Sequence, residues 1–206
     1  MMSVVLDKRD YDVLNVVALK KMAAAATIAD VCGLSVDEVE SVLTHLAEHG
    51  LVAIAAGSAL PTDTAEDALK ANAAQYYEAV RTDPAIAELV TAFERINSQF
   101  LTTMSAWQQV EVGGRKVPND HSDPAYDAKI IDRVEKLVRR LTPLIEALSA
   151  HDPRFSGYTR RFHTALEGIE RGQHELVSSP TLDSVHNIWF EFHEDLLRTL
   201  GRERAE

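Results

Sequence analysis

Cysteine is nearly missing from this 206-residue chain. The single one, Cys32, excludes an internal disulfide framework and suits a reducing compartment. Long apolar runs are missing too. No stretch approaches the roughly 20 residues needed to span a bilayer, and the N-terminus MMSVVLDKRD has no extended apolar core of the signal-peptide kind. These absences lead to the expectation of a cytoplasmic protein with no membrane partner. There is no nucleophile elbow, phosphate loop, HExxH or dinucleotide fingerprint. No catalytic residue is assigned, and an independent enzyme is not the expectation. Internal repeats and low-complexity tracts are also lacking. Positive charge is in deficit: 21 Lys and Arg face 32 Asp and Glu, a net −11, which argues against a surface dominated by nucleic acid or anionic lipid. The remainder, 46% apolar and 26% charged, is ordinary enough that packed structure rather than disorder is expected.

The chain is organised around residues 25–52. Ala26, Ile28, Ala29 and Cys32 form a short apolar helical face, on which Cys32 reads as a small buried hydrophobe. Gly33 closes that helix. Ser35 and Glu38 then have the spacing of a capping box, and Val36, Val39, Val42, Leu43 and Leu46 recur at helical intervals. Gly50 ends the second helix. Leu51–Ala55 and Ala59–Leu60, about a Gly57-Ser58 turn and stopped by Pro61, read as a hairpin. With a helix over Asp7–Ala18 in front, the pattern resembles the winged helix-turn-helix head of MarR-like and GntR-like bacterial regulators. The fold class expected is therefore mainly α: a winged helix with a small β-hairpin over residues 1–62, then an all-helical bundle over 63–206 serving ligand binding or dimerisation.

Charge complicates the DNA reading that this resemblance implies. Residues 36–49 carry Asp37, Glu38, Glu40 and Glu48 and no Lys or Arg, and the wing, Ala53 to Pro61, has no cation either. Residues 1–60 hold four basic and eight acidic side chains, net −4, the wrong sign for counterion release. The DNA-contact candidates are Lys20, Lys21, Ser41, Thr44 and His45.

Beyond Pro61, a helix is expected from Ala65 to about Arg81. A long one follows from Pro84 to about Val110, with Ile86, Leu89, Val90, Phe93, Ile96, Phe100, Met104 and Trp107 on one stripe, either the spine of a bundle or a dimer seam. Gly113-Gly114 ends it, and Glu111 to Pro124 reads as one long polar loop. Ala125 to Ala150 is helical, with a kink or break expected at Pro143. Two further helices are expected at about Arg154–Arg171 and Leu182–Leu200. The last shows two stripes, one of Val185, Ile188, Trp189, Phe192, Leu196 and Leu200 and one of His186, Phe190, His193 and Leu197, so it is expected to be covered on two sides. That makes about five helices in the bundle.

Three constellations can carry chemistry. The loop Asn119-Asp120-His121-Ser122-Asp123, with Trp107 near in sequence, offers Trp107, Asn119, Asp120, His121 and Asp123 as ligand candidates, although Asn, Asp and Ser are also ordinary cap and turn residues. Arg139, Arg140, Arg160 and Arg161 are anion candidates by virtue of the guanidinium fork, or else partners for Glu135, Glu146 and Glu167 on solvated faces. His163, His186 and His193 are metal candidates, with Glu191, Glu194 or Asp195 as a carboxylate. This last set is similar to the metal-binding effector domains of FadR-like GntR regulators, but lacks that family's Asp and His four apart. Any cofactor is thus a bound metal or a small anion.

The tail DSVHNIWFEFHEDLLRTLGRER, with WQQ and NDHSDPAYD upstream, resembles actinobacterial winged-helix proteins, some of which accompany phosphoenolpyruvate-utilising, dikinase-like enzymes. That resemblance implies an accessory subunit and transfers no phosphate-carrying histidine. The expected function is a transcriptional regulator with a helical effector or dimerisation domain, acting as a homodimer. The alternatives are an accessory subunit using the winged helix for protein contact, with a phosphoenolpyruvate-utilising phosphotransferase as partner, and a small-molecule or metal-binding helical domain.

Overall fold

The computed structural model describes residues 4–202 and is mostly helical, with two small antiparallel sheets. The end of the tail motif, Glu203 and Arg204, lies outside the described residues. No helix among the described residues is long and apolar enough to cross a membrane. The chain divides into two compact units, residues 1–82 with 191–206, and residues 83–190. The boundary expected at 62/63 therefore moves. The next helices and the last ten residues of the final helix belong with the head, because the first helix buries nine of its ten side chains from Asp10 to Leu19, all but Asp12, and needs cover on several sides.

In the first unit, Asp7 caps α1 (Lys8–Lys20) by accepting from the Asp10 amide at 2.8 Å. A short strand β1 (Ala23–Ala24) precedes α2 (Ala25–Cys32), which Gly33 terminates in the left-handed conformation at φ +68°. Helix α3 (Val36–Glu48) opens on the expected capping box: Ser35 Oγ accepts from the Glu38 amide at 3.3 Å, and Glu38 accepts from the Ser35 amide at 2.9 Å. The Ser35 amide first, and second the Ser35 hydroxyl, which donates to the same Glu38 oxygen at 2.8 Å, hold the Glu38 carboxyl below its ordinary pKa. Val39, Val42, Leu43 and Leu46 face inward, whereas Val36 is exposed and Cys32 is only half-buried.

Strands β2 (Val52–Ala55) and β3 (Ser58–Pro61) form the hairpin, with Ile54 opposite Ala59. The turn is Ala56-Gly57 rather than Gly57-Ser58, both at positive φ, the geometry a two-residue hairpin loop requires. β1 pairs with β3, giving the order β1-β3-β2. The alanine-rich segment expected as a plain connector thus contributes a strand. The single helix expected over 65–81 is two: α4 (Ala65–Tyr76) and α5 (Glu78–Thr82). Asn72 of α4 anchors the chain before α1, accepting from the Leu6 amide and donating to Val4 O.

The second unit starts at α6 (Pro84–Gln108), capped by Asp83 with Pro84 at the first position. Its apolar stripe is buried inside this chain, apart from half-buried Leu89, so it is a spine and not a seam left open for a second copy. The "polar loop" is largely a hairpin, β4 (Gln109–Val112) and β5 (Arg115–Pro118), turning on Gly113-Gly114. Helix α7 (Pro124–His151) passes through Pro143 without a break. A 3-10 turn (Pro153–Phe155) leads into α8 (Ser156–Glu170), and another (His174–Val177) precedes α9 (Val185–Leu200). With α4 to α9, residues 63–206 hold six α-helices among those described, not about five.

Trp189 centres this core. Its ring stacks on Phe100 at 4.0 Å and 5°, and its indole N–H donates to buried Asn97 Oδ1 at 3.0 Å. Phe190, expected on a covered stripe, is 42% exposed instead.

Candidate functional site

The residues most tightly assembled around an unusual polar arrangement lie where α6 ends and α7 begins. The β4–β5 hairpin carries the chain out and returns it to its starting point, so that the Asn119 amide donates to Gln108 O at 2.9 Å. The Asn119 side chain then satisfies three groups. Its Nδ2 donates to Trp107 O at 3.0 Å and to Asp127 Oδ1 at 3.1 Å, and its Oδ1 accepts from the His121 amide at 3.1 Å.

His121 Nδ1 lies 2.9 Å from Asp127 Oδ2 and 3.2 Å from Asn119 Nδ2. Both Asn119 hydrogens are already engaged, so Nδ1 must carry a hydrogen and donate it to the carboxylate. In the neutral ring Nε2 is consequently the acceptor. The imidazole stacks on Trp107 at a centroid distance of 4.4 Å, and His174 meets the same indole edge-on at 6.5 Å. Tyr126 fastens the start of α7 by donating to Ala106 O at 2.9 Å.

Asp127 is buried, whereas His121 is exposed. The His121 backbone has φ +57°, a region unfavourable for a residue with a Cβ. The geometry is therefore an imidazole pinned through Nδ1 by a buried carboxylate and supported on one face by an indole, so that in its neutral form Nε2 is the ring nitrogen left as acceptor. It can accept a proton or a hydrogen bond from an incoming group.

Of the five loop candidates, Trp107, Asn119 and His121 are brought together. Asp120 and Asp123 act locally. Asp120 accepts from the Ser122 amide, and Ser122, through its hydroxyl first and its amide second, holds the Asp120 carboxyl below its ordinary range. Asp123 caps α7 through the Ala125 and Tyr126 amides, both at 3.0 Å. Sequence reasoning missed Asp127. The signal was present: Asp127 continues the inward line Ile130, Val134, Leu137 and Leu141 one turn earlier, an acid on an apolar stripe.

The DNA-contact candidates fare differently from one another. Lys20 is turned onto Glu191 at 3.0 Å, with both side chains largely covered. Lys21 is exposed, as are Ser41 and Thr44 on α3, and Thr44 donates its hydroxyl to Glu40 O at 2.9 Å. His45 Nδ1 lies 2.7 Å from Asp10 Oδ2, tying α3 to α1, and its ring meets that of His49 at 4.4 Å.

The arginines are not a cluster. Arg161 is buried and grips Asp183 through two bonds, at 2.8 and 2.5 Å, so it is a structural clamp. Arg140 donates to Gln99, and Arg139 and Arg160 are exposed. The histidines likewise stay apart. His163 pairs with Glu167 on the surface of α8, His186 is half-buried beside Phe100, and His193 is half-buried on α9. Among the described residues no three His, Cys, Asp or Glu are grouped to hold a metal ion. Comparison of the chain with protein-family models, with curated proteins and with solved structures returns no match.

Proposed function

We propose that the chain is a winged-helix regulatory protein whose head contacts a protein partner rather than DNA. The order α1-β1-α2-α3-β2-β3, with the sheet order β1-β3-β2 and a two-residue wing turn, supports the winged-helix reading. One observation carries the choice of partner: the exposed positions of α3 are Val36, Asp37, Glu38, Glu40, Ser41, Thr44, His45 and Glu48, with no Lys or Arg among them. A helix that reads DNA needs cations for phosphates and base edges. Residues 1–82 and 191–206 together hold 9 Lys and Arg against 17 Asp and Glu, net −8, and Lys20 is already engaged by Glu191. The partner expected is a surface carrying Lys or Arg opposite Asp37, Glu40 and Glu48. One cysteine and the lack of a membrane-spanning helix among the described residues fit a cytoplasmic setting.

The second reading, a transcriptional regulator, is favoured by Ser41 and Thr44, which remain exposed on α3 where a reading helix presents side chains to bases. Fluorescence anisotropy decides between the two. The expected result is no binding to a duplex from upstream of the protein's own gene, nor to an unrelated duplex, at about 50 mM salt, where a phosphate-reading protein binds well. Micromolar binding to the upstream duplex alone, abolished by Ser41→Ala and Thr44→Ala, would sink the protein-partner reading and establish the other.

A further inference from the structure

A groove of about 490 Å³ runs along α6 and α7 in the second unit, away from the His121 cluster. Its α7 side presents Arg133, Lys136 and Arg140, spaced three and four apart on one helix face, and its α6 side presents Ser98, Gln99 and Thr102. Lys136 is compensated by Asp132 at 2.6 Å. The two arginines are not: Arg140 reaches across to a neutral partner, Gln99 Oε1, at 2.5 Å, and no described ion pair includes Arg133 or Arg140. In a chain with 32 carboxylates and a net charge of −11, two guanidiniums facing one groove without an acid are a local excess of positive charge.

The α6 hydroxyls add chemistry of another kind. Ser98 donates to Glu94 O at 3.1 Å and Thr102 to Ser98 O at 3.0 Å. With their hydrogens directed into their own helix, these oxygens face a ligand as acceptors. An acceptor suits the hydroxyl of a ligand and not its anionic group. A volume near 490 Å³ falls in the range of small-molecule sites.

We propose that this groove binds a small organic phosphate with a hydroxylated body, its phosphate on Arg133 and Arg140 and its hydroxyls on Ser98 and Thr102. The forked guanidinium matches phosphate oxygens two at a time, and the α6 row discriminates a polyol phosphate from a bare anion. The site is independent of whatever the head contacts.

Calorimetric titration of the full chain with ribose 5-phosphate, glycerol 3-phosphate, inorganic pyrophosphate and ribose tests this. The two phosphorylated polyols bind at millimolar concentration or tighter, and ribose does not. Arg133→Ser and Arg140→Ser each weaken ribose 5-phosphate about tenfold or more, the scale of a lost charge-assisted hydrogen bond. Arg139→Ser, next door on the same helix but outside the groove, leaves it unchanged. Thr102→Val weakens ribose 5-phosphate and leaves pyrophosphate alone. All four positions are exposed, and circular dichroism verifies that each variant folds. Failure of both polyol phosphates to bind at 10 mM (about 2.7 kcal/mol of affinity) overturns the proposal, as does an equal loss in Arg139→Ser. Pyrophosphate binding as tightly as ribose 5-phosphate, with no effect of Thr102→Val, overturns the part assigned to the hydroxyl row.

Discussion

Asp127 shows how much can depend on one side chain. It is buried, accepts from Asn119 and from His121, and fixes which nitrogen of the imidazole carries the hydrogen. Asp127→Ala removes the acceptor for both donors. The expected loss is about 1.5–3 kcal/mol in urea unfolding, the scale of a hydrogen bond to a charged group. The proton on His121 then redistributes between Nδ1 and Nε2, which nitrogen-15 shifts of the ring report directly. Unchanged shifts would mean that the carboxylate does not set the tautomer. His186 gives a second residue-level expectation. Burial lowers its pKa below the ordinary 6.5, so the folded state resists protonating it while the unfolded state does not. Its effect on stability is absent above the unfolded pKa and grows as pH falls through 6.5 towards the folded value. His186→Gln therefore flattens the decline of stability with pH over that window, and an unaltered slope would contradict the assignment.

Helices in this chain begin and end where local chemistry directs. Ser35 and Glu38 start α3, Gly33 ends α2, and Asp83 with Pro84 starts α6. Ser35→Ala is expected to cost about 1 kcal/mol in unfolding free energy by removing the acceptor for the Glu38 amide. A cost below the error of the measurement would show that packing of α3 alone suffices. These starts were legible in the sequence because caps act over three residues. The β4–β5 hairpin was not. Val110, Val112 and Val117 lie on strands whose exposed flanks are polar, and only Val110 is half-buried, so there was no inward face for a period of two to reveal. The stop after Tyr76 was equally hidden, since no Gly or Pro marks it.

On the scale of the molecule, charge is distributed unevenly. The first unit is net −8 and the second, with 12 Lys and Arg against 15 Asp and Glu, is net −3. Binding of the acidic α3 face to a basic partner should therefore weaken as salt rises, because exposed charges are screened over about 8 Å at physiological ionic strength. Affinity independent of salt between about 50 and 300 mM would point to an apolar contact instead.

The apolar stripes of α3 and α6, the main stripe of α9, the capping box and the acidic surface of α3 followed from the amino-acid order alone, because helical period, caps and formal charge are properties of neighbours in sequence. Which residues meet was decided only by the tertiary structure. Asn119 returns to Trp107 across a hairpin, Asp127 rather than Asp120 or Asp123 receives His121, Lys20 reaches Glu191, and Arg133 with Arg140 borders hydroxyls of α6. Each of those pairings closes a loop of chain, and the choice among competing closures rests on packing that no short stretch of sequence contains.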